Sequence, residues 1–139
     1  MQTDSASVAG AIAVAVVIDD EKNMARVMQW VLKDLGFEVR GYETAEAAMQ
    51  DLPGLHPDLI ICDVRLPGLE GPGFAAWIKA QPDLSSVPII LMSAYREPLG
   101  HTADAFVSKL YEIEEIGATI TRLLPARGCA APARDATDL

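Results

Sequence analysis

Ile12-Ala13-Val14-Ala15-Val16-Val17-Ile18-Asp19-Asp20 and Leu59-Ile60-Ile61-Cys62-Asp63 are built on one plan, a short apolar run that ends abruptly on acid. A half-buried strand alternates apolar with polar residues, whereas these runs do not. A brief, continuous, β-branched-rich run is the pattern of a strand buried on both faces, as in a parallel sheet covered by helices. Pro88 to Met92 and Ala105 to Ser108 read as two further strands. Phe37 to Glu43 completes the set, with Phe37, Val39 and Gly41 alternating against Glu38, Arg40 and Tyr42.

Helical spacing fills the gaps. Met24, Val27, Met28, Val31, Leu32 and Leu35 form one stripe, and Gly36 is placed to end it in a left-handed cap. Thr44 caps a short helix with Ala45, Ala48, Met49 and Leu52 on its apolar face, stopped by Pro53-Gly54. A third helix contains Phe74, Ala75 and Ile78, and a last one carries Ile113, Ile116, Ile120, Leu123 and Leu124. Alternating strands and helices imply an α/β, doubly wound, five-stranded parallel sheet in the flavodoxin-like order 2-1-3-4-5. Residues 1–10 read as a flexible leader, 11–124 as the domain and 125–139, rich in Ala, Pro and Arg, as a flexible tail. No DNA-binding or catalytic output region is expected after Leu124.

The chain has 139 residues, enough for one domain, and a formal net charge of −9. A nucleic-acid-binding surface needs a basic stripe, and the sequence offers none. Cys62 lies inside an apolar run and Cys129 far from it, which supports neither a disulfide framework nor a zinc site. The apolar stretch from Ala9 to Ile18 follows no Lys or Arg, is too short to span a bilayer and ends on acid. The expectation is a cytoplasmic protein without membrane contact.

In a sheet of this kind, ligands bind outside the carboxyl ends of the strands, where the strand order reverses. Asp19 and Asp20 follow the first strand, Asp63 the third, Ser93 the fourth and Lys109 the fifth. The first and third strands are neighbours, so three carboxylates converge. At ~4 Å, each like-charged pair costs about 4 kcal/mol at an effective dielectric near 20. An all-oxygen donor set at an open edge suits Mg²⁺ rather than zinc. A carboxylate beside such an ion can attack a phosphoryl group and form an aspartyl phosphate. Lys109 would neutralise phosphoryl charge and the Ser93 hydroxyl would bond a phosphoryl oxygen.

These residues resemble the receiver domain of response regulators. The likeness rests on Asp19-Asp20, on Asp63-Val64-Arg65-Leu66-Pro67-Gly68-Leu69-Glu70-Gly71, on Ser93-Ala94 and on Phe106-Val107-Ser108-Lys109. It runs from about Ile12 to Leu124. The resemblance implies a two-component signalling switch with Asp63 as the phosphorylated residue, Asp20 as a direct metal ligand and Asp19 as its partner acting through water. It further implies the Arg65 backbone carbonyl as a ligand, Ser93 as the switch hydroxyl, Lys109 as the invariant lysine and Phe106 as the switch aromatic. Mg²⁺, with Mn²⁺ as a substitute, is the implied cofactor, and a histidine kinase or phosphotransfer protein the implied donor. Arg65 and Tyr95 would flank the phosphoryl group, and being large would slow its hydrolysis. The domain would phosphorylate and dephosphorylate itself without turning over a substrate. Leu110 stands where the family usually has proline, and Leu66 where methionine is common.

Other readings attach to the same residues. A phosphatase of the haloacid-dehalogenase type needs a second acid two residues after its nucleophile, and Arg65 occupies that place. A pseudo-receiver, working as an interaction module without phosphorylation, would tolerate the missing proline. A flavin protein needs a phosphate-cradling loop after the first strand, where Asp19-Asp20-Glu21 would repel a phosphate. Taken singly, Phe106 is a core residue, His56 and His101 are structural or solvated, and Trp30 and Trp77 are packing or partner surface.

The connection from Ala94 to Asp104 is as short as a parallel crossover can be and contains Pro98 and Gly100. It predicts a loop or one to two turns in place of a full fourth helix. The Ile89-to-Met92 strand should then be less covered, and the chain a monomer or a dimer with an uncommon interface, read by an unknown downstream protein.

Overall fold

The computed structural model describes residues 13–108 and 113–124. Its five strands are β1 (Val14–Ile18), β2 (Glu38–Tyr42), β3 (Leu59–Asp63), β4 (Ile89–Ser93) and β5 (Ala105–Ser108). Four helices join or follow them: α1 (Lys22–Asp34), α2 (Ala45–Asp51), α3 (Gly71–Ala80) and α4 (Ile113–Leu123). All strand pairs are parallel and the order is β2-β1-β3-β4-β5, as the sequence implies. The leader, the tail and Lys109 lie outside the described residues.

The continuous apolar runs are explained by two cores, one on each face. Val16, Ile18, Ile60, Cys62, Ile89 and Leu91 point to one side, where α2 brings Ala45 and Ala48 and α3 brings Phe74, Ala75 and Ile78. Ala15, Val17, Leu59, Ile61, Ile90 and Met92 point to the other, against Met28 and Leu32 of α1 and Ile116 and Ile120 of α4. Successive strand side chains therefore serve opposite cores, and no position on β1, β3 or β4 has solvent to meet except the strand tips. The caps fall as expected: Gly36 adopts φ +99°, and the Thr44 hydroxyl accepts the Ala47 N–H at 3.1 Å. Within the first core, Trp77 stacks on Phe74 with ring centroids 6.1 Å apart.

Residues 94–104 contain no helix; a turn at Leu99–Gly100 carries the chain from β4 to β5. The expected exposure of β4 does not follow. Ile89, Ile90 and Leu91 are wholly buried and Met92 is 3% exposed. Leu84, Val87, Ala103 and Phe106 close over the first core in place of a crossover helix, and α4 covers the other face. Asp104 anchors the returning chain. Its carboxylate accepts the Ile89 N–H and the Lys79 ammonium, both at 2.8 Å, so α3, β4 and the start of β5 meet on one side chain. At the loop's centre, the His101 Nδ1 accepts the Ala103 N–H at 3.1 Å and its Nε2 lies 2.7 Å from the Glu97 carboxylate. Leu99, at the tip, is 99% exposed.

β2 keeps the period-two alternation, but both of its faces meet a core. Phe37 precedes the strand and is buried in the α1–α4 core, while Tyr42 packs on the opposite core with its hydroxyl donating to Asp51 at 2.9 Å. The rest of this edge strand, from Glu38 to Gly41, is half-buried or exposed.

Candidate functional site

The carboxyl ends of β1 and β3 lie side by side, Ile18 next to Cys62, so the residues that follow share one edge. There Asp19, Asp20 and Asp63 each offer a carboxylate oxygen, and these oxygens all lie within 4.8 Å of one another. Asp19 and Asp63 are buried, at 7% and 8% exposure, whereas Asp20 is exposed. The cluster thus has a closed floor and an open mouth. The Asp19 Oδ1 accepts the Glu21 N–H at 2.9 Å, which orients that carboxylate at the start of α1. Glu21 is itself turned away, capping the helix through the Met24 N–H.

The loop after β3 is held on three sides. The Val64 N–H donates to the Met92 carbonyl at 2.8 Å, extending the β3–β4 ladder past Asp63. The Gly71 N–H then donates to the Val64 carbonyl at 2.9 Å, folding the loop back on itself. Gly71 must be glycine: a Cβ there would collide with the Asp63 carbonyl oxygen and stand 3.0 Å from the Val64 Cα. At the loop's crest, Gly68 has φ +73°, and the Glu46 carboxylate of α2 accepts the Leu69 N–H at 2.9 Å. Nothing in the sequence beyond its place in the first turn of α2 marks Glu46 for this contact.

Ser93 closes β4 at 1% exposure, one residue beyond the partner of Asp63 in the β3–β4 register. Its Oγ accepts the Tyr95 N–H at 3.0 Å. Ser108 pairs with Ser93, so β5 ends at the same edge. Phe106 is half-buried and packs against the first core, in line with its plain reading as a core residue. The Arg65 guanidinium lies over the Tyr95 ring, 4.5 Å from its centroid.

The donor set decides which cation fits. Cys62, directly beneath Asp63, donates its thiol to the Asp63 backbone carbonyl at 3.3 Å. Burial, and then the charges of Asp63 and Asp19, push this thiol far above its ordinary range, so it stays protonated. Among the described residues no thiolate or imidazole joins the cluster, and three carboxylates suit a hard divalent ion with water completing its shell.

A parallel five-stranded sheet with a carboxylate cluster at its reversal point, next to a buried hydroxyl, is the flavodoxin-like arrangement expected of a phosphoryl-handling switch. The response regulator receiver domain profile matches residues 15–121, and the chain belongs to that family, the phosphoacceptor modules of two-component signalling. The transcriptional regulatory protein FixJ of Bradyrhizobium diazoefficiens is 33% identical over 129 residues, covering 86% of this chain and 62% of FixJ. The regulatory protein AtoC of Escherichia coli K12 is 29% identical, covering 78% of this chain but 24% of AtoC. The chain thus spans less than two thirds of these curated relatives. Among solved structures, the receiver domain of a histidine kinase from Syntrophus aciditrophicus superposes with a TM-score of 0.78 at 26% identity, covering 89% of this chain and 98% of that one. TrrA of Thermotoga maritima, solved in complex with Mg²⁺ and BeF, gives 0.74 at 27% identity, covering 81% and 100%.

Proposed function

We propose that Asp63 accepts a phosphoryl group from the phosphohistidine of a histidine kinase or phosphotransfer protein. The observation that carries this reading is the convergence of Asp19, Asp20 and Asp63 within 4.8 Å at the sheet's reversal point. In the transfer, the phosphorus–nitrogen bond to the donor imidazole breaks as a carboxylate oxygen of Asp63 bonds to phosphorus, and the imidazole takes up a proton. Asp20, Asp63 and the Arg65 carbonyl would hold a divalent ion, with Asp19 as their supporting partner. When bound there, Mg²⁺, or Mn²⁺ in its place, would supply charge neutralisation at the phosphoryl oxygens. The Ser93 hydroxyl donates to one of those oxygens while its lone pair stays on the Tyr95 N–H. Lys109 follows Ser108 and offers a second positive charge, and Phe106 answers movement of Ser93 as the switch aromatic. Arg65 and Tyr95 flank the phosphoryl group, and their bulk slows attack by water.

In this reading residues 11–124 are the receiver domain, flanked by a leader at 1–10 and a tail at 125–139. The domain carries one phosphoryl group at a time and has no substrate to turn over. It works in the cytoplasm as a monomer or an atypically joined dimer, since the helix-free 94–104 connection lacks the surface that a crossover helix would present. Among the described residues, no helix is long and apolar enough to cross a membrane. The haloacid-dehalogenase and pseudo-receiver alternatives are not favoured.

Intact-mass measurement after treatment with Mg²⁺ and a small-molecule phosphodonor tests the reading. The native chain should gain one phosphoryl group and Asp63→Asn none. Equal labelling of the Asn variant would remove Asp63 as the acceptor.

A further inference from the structure

Arg65 and Tyr95 are both exposed, and neither belongs to a core. Even so, they stack on each other. Arg65 lies two residues past Asp63 and Tyr95 two past Ser93, and β3 and β4 are neighbours with Asp63 beside Met92. The stacked pair therefore bridges the acceptor and the hydroxyl across the sheet's carboxyl edge. Among the described residues no salt bridge involves Arg65, although three carboxylates cluster at the root of its loop. Its charge rests on a neutral ring face, a weak partner that favours the stacked form by a factor of roughly 2–5 when exposed.

A phosphoryl group on Asp63 would be a stronger partner. It brings about two negative charges and three acceptor oxygens, which a guanidinium meets with paired hydrogen bonds. We propose that Arg65 is a phosphoryl-sensing side chain: it rests on Tyr95 while Asp63 is unphosphorylated and turns onto the phosphoryl oxygens once Asp63 is modified. The proposal builds on Asp63 as phosphoacceptor. Its consequence is release of Tyr95, whose main-chain N–H is held by Ser93 Oγ. The hydroxyl and the ring then report the same event to residues 94–104, whose tip is the fully exposed Leu99. In a receiver without a crossover helix, this gives the phosphoryl group a mechanical connection to the loop.

Proton–nitrogen NMR of the arginine side chains reads the resting partner directly, because protons stacked over a ring face are shifted upfield. Arg65 should show that shift in the metal-free chain and lose it on addition of Mg²⁺ and beryllofluoride, a phosphoryl mimic. Tyr95→Ala should tighten beryllofluoride binding roughly 2–5-fold by removing the competing partner. The same substitution should have no such effect in an Arg65→Ala background. An upfield shift that persists with the mimic bound would overturn the proposal, as would a Tyr95→Ala variant that binds the mimic equally or more weakly. If beryllofluoride perturbs no amide around Asp63, the phosphoacceptor reading fails and this proposal with it. If it binds while Arg65 stays on the ring, only the sensing role fails.

Discussion

Replacing Asp20 by Asn should stabilise the metal-free protein and remove much of its response to Mg²⁺. Asp20 belongs to a cluster whose carboxylate oxygens lie within 4.8 Å of one another. At that limit, each like-charged pair costs about 3.5 kcal/mol at an effective dielectric near 20 and about 0.9 kcal/mol in bulk water. Asp20 is exposed, so water screens it and the value per pair lies toward the lower figure. The substitution removes two of the three repulsions, one with Asp19 and one with Asp63, for a gain of about 2 kcal/mol. In a domain of this size, that raises the melting temperature by roughly 5–10 °C. Thermal unfolding followed by circular dichroism in chelator should show the variant above the native chain. The order should then close or invert with Mg²⁺, since a site filled at a hundred times its dissociation constant stabilises by about 2.7 kcal/mol. A variant that melts below the native chain in chelator would refute the reasoning, because it would mean that the three carboxylates do not repel in the folded state.

Gly71→Ala forces a methyl group into the backbone behind Asp63 and should destabilise by about 1–3 kcal/mol, measured by urea unfolding, with slower phosphodonor labelling. The Cys62 thiol, raised by burial, favours the folded state fully below the ordinary thiol pKa. Above it the unfolded chain ionises and the folded chain does not, so this stabilisation is lost as pH rises, by about 1.4 kcal/mol per pH unit. The stability gap between the native chain and Cys62→Ala should therefore narrow between pH 8 and 10, and a constant gap would show that the thiol is not buried. Truncating both flanking residues, Arg65→Ala with Tyr95→Ala, should shorten the lifetime of the phosphorylated form in a phosphate-release assay, and an unchanged lifetime would end the shielding idea.

The strands and the acidic cluster were legible because both follow from chain direction. A parallel strand buried on two faces must be apolar throughout, so its first polar residue marks the carboxyl edge; Asp19 and Asp63 stand at that boundary. The missing crossover helix was legible from Pro98 and Gly100, whose backbone costs are local. What stayed hidden depends on which side chains meet across the sheet. The continued burial of Ile89 and Leu91 comes from Leu84, Val87, Ala103 and Phe106, which arrive from two separate segments. Alternation sends Tyr42 to the face opposite Phe37, but the Asp51 carboxylate that accepts its hydroxyl there cannot be read from that spacing. The Arg65–Tyr95 stack and the Glu46–Leu69 bond need the β3–β4 register and the seat of α2, and no spacing along the chain encodes either.

The helix-free return from β4 to β5 also bears on how the chain folds. Bringing two segments together costs conformational entropy that grows with the logarithm of the loop between them, and helical crossovers make parallel pairs slow to form. Here the two strands are separated only by residues 94–104, and Asp104 grips both Ile89 and Lys79 as soon as they meet. The β4–β5 pair is thus held by contacts of low sequence separation and can form ahead of the β1–β3 pair, whose strands lie about forty residues apart. The edge that carries Ser93 would then be in place before the carboxylates of Asp19 and Asp20 are drawn against Asp63, leaving their mutual repulsion to the last step of folding.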